Sequence, residues 1–129
     1  MIAVDTNVVV RLLTRDDPEQ YRKSFTLFNA QTIYLSLTVM QETEWVLRFS
    51  YEFSPDKINF ALLSLAGLAN VEIEKPQILA KALSLHGENM DFSDALHLAQ
   101  SSKCDSFYTF DKKLINKAMN NGICEVRKP

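Results

Sequence analysis

Four acidic side chains occupy positions from which an α/β fold could gather them. Asp5 and Asp111 each follow a short apolar run, whereas Glu42 and Asp94 belong to helical patterns. Gathered carboxylates repel one another unless a cation neutralises them. The acids therefore predict a divalent-cation site. Because no cluster of histidine or cysteine accompanies them, Mg²⁺ or Mn²⁺ suits such a site better than zinc does.

The elements that must position these acids alternate along the chain between strand-like and helix-like patterns. Strands are predicted at residues 2–5, 33–36, 71–73, 106–110 and 123–126, and helices at 8–13, 18–30, 38–50, from 55, 76–87, 93–103 and 112–121. This alternation predicts an α/β fold with a mostly parallel central sheet of about four to five strands, flanked by helices on both faces. Without a linker or repeat, residues 1–129 are expected to form a single domain.

Asp5 and Asp111 are predicted to lie at the carboxyl ends of two strands. Ligands of open α/β sheets bind beyond those ends, so we expect both carboxylates at the same edge of one sheet. An alternative is that each residue caps the helix that follows it. The two roles are compatible, because capping also fixes the direction of a carboxylate.

Glu42 and Glu44 are predicted to differ in role although only two positions separate them. Glu42 shares a helical face with Val39 and Phe49, which predicts a partly desolvated carboxylate that needs either a cation or a buried salt bridge. Glu44 points nearly the opposite way and can pair with Arg48 at i+4. We therefore interpret Glu42 as the functional acid and Glu44 as a structural one.

Asp91 and Asp94 are three residues apart and so share one helical face. Either Asp91 or Ser93 can be the N-cap, and Asp94 then falls in the first turn, where the helix dipole favours an acid without any metal. We interpret Asp94 as the ligand and Asp91 as a cap or supporting residue. His97 is at i+3 from Asp94 and is more simply explained as an ordinary helix residue.

The charge balance neither supports nor excludes a nucleic-acid partner. Net charge is −2, from 14 basic and 16 acidic residues, and it becomes +2 (14 − 12) without the four candidate ligands. The residues that could then face a phosphate backbone, each equally explained as part of a solvated helix face, are Arg11, Arg15, Arg22, Lys23, Lys112, Lys113 and Lys117. No apolar run reaches the roughly 18 residues of a membrane span, and the chain starts without a signal pattern. A cytoplasmic protein without a membrane partner is expected.

Four segments in order give the chain a family resemblance: VDTN at residues 4–7, QETEWVL at 41–47, DFSDALHLA at 91–99 and YTFDKKL at 108–114. Together they resemble the PIN-domain nucleases, and in particular the small single-domain VapC-type toxins of bacterial toxin–antitoxin pairs. The resemblance extends over nearly the whole chain. Each segment is a weak signal alone, and four in the family's order are a strong one.

The resemblance implies a role for each acid and its neighbours. The quartet that would hold Mg²⁺ or Mn²⁺ is Asp5, Glu42, Asp94 and Asp111. The polar residues implied beside it are Thr6, Asn7, Asp91 and Thr109. Family membership also implies a homodimer and a cognate antitoxin protein that occludes the site.

The function expected is a metal-dependent endoribonuclease that hydrolyses single-stranded RNA by metal-activated water, as the toxin of a type II toxin–antitoxin system. One alternative is a PIN nuclease of RNA processing or decay with no antitoxin. Another is a non-catalytic module that binds RNA or a partner, against which the intact quartet argues. A metal-dependent phosphatase with Asp5 as nucleophile fits less well, because its Asp-x-Asp pattern is broken by Asn7.

Overall fold

Short parallel strands connected through helices organise this chain. The computed structural model describes residues 1–129, which form two compact units, Met1–Pro76 and Gln77–Pro129. The first unit contains β1 (Ile2–Ala3), α1 (Thr6–Thr14), α2 (Pro18–Ala30), β2 (Ile33–Leu35), α3 (Leu37–Tyr51), α4 (Pro55–Ala66) and β3 (Val71–Ile73). The second is built from α5 (Pro76–Gly87), α6 (Phe92–Ala99), β4 (Ser106–Tyr108), α7 (Lys112–Lys117) and β5 (Glu125–Arg127).

The sheet of the first unit has the order β1-β2-β3, and all its strands are parallel. Ile33 of the central strand pairs with Ile2 on one side and with Val71 on the other. Ile33 and Leu35 are fully buried, as expected for a central strand whose two faces are both covered. The α/β class and the parallel pairing predicted from the sequence are confirmed.

The predicted single sheet of four to five strands is wrong. β4 pairs with β5 in a separate two-stranded parallel sheet, and β1-β2-β3 has only three strands. Asp5 and Asp111 therefore follow strands of two different sheets. The reason is that β4 finds its backbone partner in the C-terminal strand, and the Thr109 N–H extends that ladder to the Arg127 carbonyl at 2.9 Å. Apolar runs predict strands, whereas pairing is decided by tertiary contacts.

Helix starts were predicted more closely than helix ends. α6 and α7 end at Ala99 and Lys117, several residues before the predicted ends at 103 and 121. The prediction that Gly122 caps the last helix is also wrong, since Ala118 is the C-cap. The amide of Asn121 donates to the Ala118 and Cys124 carbonyls, both at 2.7 Å, and so forms a turn in place of further helix.

Each unit has its own apolar core. In the first unit the fully buried apolar side chains include Val9, Ile33, Leu35, Met40, Leu47, Ile58 and Leu62. In the second they include Leu79, Ala82, Phe92, Ala95 and Leu98. No helix of the structure has the length and apolar character needed to cross a membrane.

A polar network ties α1, the turn after it and the end of α3 together. Arg11 Nη1 donates to Asp16 Oδ1 at 3.0 Å and to the Tyr51 hydroxyl at 2.9 Å, and Tyr51 in turn donates to Asp16 Oδ2 at 2.6 Å. Hydrogen bonds from Tyr51 and Thr14, together with the charge of Arg11, lower the pKa of Asp16. The guanidinium of Arg11 is consequently held in one orientation.

α3 buries a different face from the one the sequence indicated. Met40, Thr43, Glu44 and Leu47 are buried, at the spacing of one helical face, whereas Glu42 is exposed. The prediction that Glu42 is desolvated is therefore wrong. The prediction that Glu44 pairs with Arg48 is confirmed: Arg48 Nε donates to Glu44 Oε2 at 2.8 Å, and the Glu44 side chain is only 1% exposed.

We expect Glu44→Gln to lower the free energy of unfolding by about 1–2 kcal/mol, because it removes the charge of a buried carboxylate that accepts charge-assisted hydrogen bonds. Glu42→Gln is the matched control, and its exposed position predicts a change within about 0.5 kcal/mol. Urea denaturation of both variants in EDTA measures the difference. Equal losses for the two variants would contradict this assignment of the buried acid.

Candidate functional site

Asp5 stands in the turn that connects β1 to α1. Its backbone is extended (φ −83°, ψ 164°), and its side chain caps α1, with Oδ1 accepting from the Thr6 N–H at 2.7 Å. The turn follows from the sequence, because a capping acid comes directly after a short apolar strand. Oδ2 has no hydrogen bond within the chain, so capping leaves half of this carboxylate available.

Thr6 connects this turn to Glu42. The Thr6 side chain is buried, and its hydroxyl donates to Glu42 Oε1. A buried hydroxyl on α1 thus orients an exposed carboxylate on α3. Sequence reasoning placed Thr6 beside the acids but missed this bond, since no local pattern relates residues 36 positions apart.

Asn7 forms no hydrogen bond with either of these carboxylates. It is exposed on the first turn of α1 and lines a cavity of about 390 Å³ formed by α1 and α2. The other residues lining that cavity are Val8, Arg11, Gln20, Lys23 and Ser24.

Three acids of the second unit lie around one cavity of about 240 Å³. They are Asp91, Asp94 and Asp111. The remaining lining residues are Asn89, Met90, Lys113, Leu114 and Lys117. The structure therefore groups the predicted ligands Asp94 and Asp111 with the supporting residue Asp91.

Helix capping fixes two of these acids. Asp91 is the N-cap of α6, and its Oδ2 accepts from the Asp94 N–H at 3.2 Å. Asp111 is the N-cap of α7, and its Oδ1 accepts from the N–H groups of Lys113 and Leu114 at 2.9 and 3.2 Å. Thr109 supports this turn, because its hydroxyl accepts from the Asp111 N–H at 3.0 Å. Both carboxylates keep one oxygen without a hydrogen bond.

Asp94 differs from its neighbours because its carboxylate accepts no hydrogen bond. Burial raises the pKa of Asp94, and the negative charges of Asp91 and Asp111 raise it further. His97 opposes that shift, which gives this histidine a local electrostatic role. The carboxylate of Asp94 is thus a half-buried negative group whose neighbours are mainly of like charge.

The chemical type of the candidate ligands fits a hard divalent cation. All the candidate ligands are carboxylates, which Mg²⁺ and Mn²⁺ prefer, and Asp94 lacks any donor that would compete for its oxygens. In neither unit are three or more His, Cys, Asp or Glu side chains close enough together to hold a metal ion as they stand.

Sequence reasoning missed the specific place of two lysines. Lys113 and Lys117 both line the acidic cavity, although the sequence indicated them only as part of a general basic surface. Their i, i+4 spacing on the helix that Asp111 caps was the available signal, because it puts both on one face of α7. Asn89, which has a positive φ of 71°, lines the same cavity and was not singled out.

Comparison with known protein families gives a match. The family model of the PIN domain matches residues 2–119, which include all the predicted ligands. A comparison with curated proteins gives no match. PIN domains are generally nucleases, so the match supports a phosphodiester hydrolase. With 118 of its 129 residues matched (119 − 2 + 1), this chain belongs to the PIN domain family.

Proposed function

We propose that this PIN domain is a metal-dependent endoribonuclease that hydrolyses single-stranded RNA and serves as the toxin of a type II toxin–antitoxin pair. The observation that carries the proposal is the carboxylate of Asp94. It is half-buried, accepts no hydrogen bond, and faces the like charges of Asp91 and Asp111 across one cavity. A carboxylate kept in this state costs stability and is explained by a cationic ligand.

The proposed ligands of Mg²⁺ or Mn²⁺ are Asp5, Glu42, Asp94 and Asp111. Asp5 and Asp111 each use one oxygen as a helix cap and retain the other. Glu42 likewise accepts from Thr6 through Oε1 only. When bound, the cation would lower the pKa of water and neutralise charge that develops on the phosphate.

The chain's own residues position the reaction. Thr6 holds the Glu42 carboxylate, and Thr109 holds the turn that presents Asp111. Lys113 and Lys117 line the acidic cavity and can contact the phosphate of a substrate as it enters. No Ser–His or Cys–His pair lines the cavity, so water is the proposed nucleophile. The side chains around it would bind and orient the substrate.

A homodimer is part of the proposal, and exposed apolar residues on α3 and α4 support it. The rings of Trp45 and Phe49 are in tilted contact with their centroids 4.9 Å apart, and these residues are 51% and 61% exposed. Phe60 and Leu63 on α4 are 75% and 54% exposed. The contact between Trp45 and Phe49 makes an exposed apolar surface that a second copy of the chain could cover. A cognate antitoxin rests on the family resemblance.

The main alternative is a PIN nuclease of RNA processing or decay that has no antitoxin. It uses the same acids and chemistry, so only the cellular role separates it from the toxin. A non-catalytic RNA- or partner-binding module would need none of the acids, and its RNA binding would survive their neutralisation.

We expect Asp5→Asn, Glu42→Gln, Asp94→Asn and Asp111→Asn each to lower the rate of cleavage of single-stranded RNA by about 100-fold or more, since each removes a carboxylate that would hold the cation, and the cation would stabilise charge on the reacting phosphate. Glu72→Gln and Asp105→Asn are matched controls, because both neutralise exposed acids outside the candidate site. Cleavage of a labelled oligoribonucleotide in Mg²⁺ or Mn²⁺ measures the effect. Cleavage that persists in EDTA would overturn the metal-dependent mechanism.

Asp94→Asn should stabilise the metal-free protein at neutral pH, by less than about 1 kcal/mol after solvent screening. Because folding raises the pKa of Asp94, the stability linked to its protonation is present below its ordinary pKa of 3.8 and is lost as pH rises through the raised value. The advantage of the variant should therefore grow as the pH rises from 3.8 through the raised pKa and should stay constant from there to neutrality. Thermal melts in EDTA across that range measure it.

Stability measurements on Asp94→Asn distinguish a metal ligand from a structural carboxylate. Mg²⁺ should stabilise the wild-type chain and should stabilise Asp94→Asn less, because the variant lacks one negative ligand. A marked loss of stability for Asp94→Asn in EDTA at neutral pH would instead show that the charge of this carboxylate supports the fold.

Expression of the wild-type chain alone should slow bacterial growth, and Asp5→Asn or Asp94→Asn should relieve that effect by abolishing cleavage. Growth curves with matched expression levels measure it, with Asp105→Asn as the active control. Metal-dependent cleavage without growth arrest would keep the nuclease and move the role to RNA processing. Co-purification of a small partner protein from the native host would support the toxin–antitoxin assignment.

A further inference from the structure

The cavity formed by α1 and α2 is polar and lies next to a proposed metal ligand. One of its walls is Asn7, Val8 and Arg11 on α1, and the other is Gln20, Lys23 and Ser24 on α2. Asn7 is two residues after Asp5, so the cavity begins at the same turn of α1 that Asp5 caps. Its volume of about 390 Å³ is at the small end of the range for small-molecule sites.

We infer that this α1–α2 cavity binds one nucleotide of a single-stranded RNA, adjacent to the phosphodiester that is cleaved, with its phosphate contacted by Arg11 and Lys23. The inference rests on the proposed ribonuclease function and adds a substrate subsite to it. A cavity of this volume is in the size range of a small ligand such as one nucleotide. Its polar lining can pair with the edges of an unpaired base, so the subsite would favour single-stranded RNA.

Arg11 is pre-organised for such a contact. Its Nε donates to Gln20 Oε1 at 2.7 Å, and its Nη1 is used by Asp16 and Tyr51. The two N–H groups of Nη2 have no partner within the chain, and the side chain is 30% exposed. An arginine already fixed by its neighbours loses little conformational freedom when it binds a phosphate.

Lys23 supplies a charge that a phosphate can recruit. Its Nζ pairs with Glu19 at 3.2 Å, but the two side chains are 67% and 69% exposed. An ion pair this exposed contributes little and is screened by salt, so a phosphate in the cavity can compete for the ammonium group. The pairing of Arg11 with Asp16 is more enclosed and serves to orient the guanidinium.

The cavity also carries groups that can recognise a base or ribose. The Gln20 carboxamide accepts from Arg11 through its oxygen and so keeps its NH₂ group as a donor. The exposed carboxamide of Asn7 can both donate and accept. Such groups read the edges of unpaired bases, which is how single-stranded RNA is generally distinguished.

Lys23→Gln tests the subsite, with Arg22→Gln as the matched control. Arg22 is the preceding residue on α2, is exposed, and does not line the cavity. The probe is a fluorescein-labelled eight-nucleotide single-stranded RNA of mixed sequence, measured by anisotropy in EDTA so that binding is separated from cleavage. Lys23→Gln should weaken binding by about two- to fivefold, and Arg22→Gln should leave binding unchanged.

The salt dependence gives a second readout. Loss of one phosphate contact should reduce the slope of log affinity against log salt by about 0.7 for Lys23→Gln and leave it unchanged for Arg22→Gln. In Mg²⁺ or Mn²⁺, Lys23→Gln should raise KM and keep kcat, because it removes binding rather than chemistry. A conservative Arg11→Lys variant should weaken binding and keep the slope, since it retains the charge and loses the planar fork.

Three results would overturn the subsite. Equal effects of Lys23→Gln and Arg22→Gln would reduce it to general surface charge. Unchanged RNA affinity for Lys23→Gln, with metal-dependent cleavage intact in the wild type, would remove the subsite and leave the nuclease standing. Unchanged RNA affinity together with weaker binding of a labelled eight-residue acidic peptide would assign the cavity to a protein partner. If the wild-type chain itself shows no metal-dependent cleavage of RNA, the proposed ribonuclease function is wrong.

Discussion

Helix capping is the constraint that places most of the acids of this protein. Asp5, Asp91 and Asp111 are each the N-cap of the helix that follows them, and each uses one carboxylate oxygen for backbone N–H groups. The second oxygen is then held in a defined direction without being consumed. Capping and ligand binding are therefore two uses of the same side chain, and the local structure that fixes the helix start also prepares the carboxylate.

Asp94 and Glu42 are positioned differently from the capping acids. Glu42 is oriented by the buried hydroxyl of Thr6, so its direction depends on how α1 packs against α3. Asp94 accepts no hydrogen bond, and its surroundings add negative charge. This contrast indicates where a cation contributes most, since a capped or hydrogen-bonded carboxylate already has partial compensation and Asp94 has almost none.

In the α1–α2 cavity, as at the capping acids, one side chain both stabilises the fold and remains available to a ligand. The network of Arg11, Asp16 and Tyr51 stabilises the packing of α1 against α3 and also fixes a guanidinium whose remaining donors are unused. Groups that stabilise the fold thus leave part of their hydrogen-bonding capacity for ligands. In a chain of net charge −2, such placed donors offer a more specific attraction for RNA than overall charge does.

The sequence by itself determined the local features of this protein. The alternation of strands and helices, the capping turns at Asp5 and Asp111, and the i, i+4 pair of Glu44 with Arg48 all follow from residues close together in the chain, and the structure confirms them. The sequence left the N-cap of α6 open between Asp91 and Ser93, and the structure assigns it to Asp91. The order of four acidic segments was also sufficient to indicate the family that the PIN match then showed.

Tertiary packing decided the strand pairing, the buried helix faces and the long-range contacts, which local sequence patterns do not encode. β4 pairs with β5 and not with the sheet of β1, because backbone partners are chosen in space. α3 buries Glu44 and exposes Glu42, since the face that packs is set by α3's neighbours rather than by the helix itself. The Thr6–Glu42 hydrogen bond and the raised pKa of Asp94 arise in the same way. Spacing along a chain specifies turns and faces, whereas burial and like-charge proximity exist only once distant segments have packed.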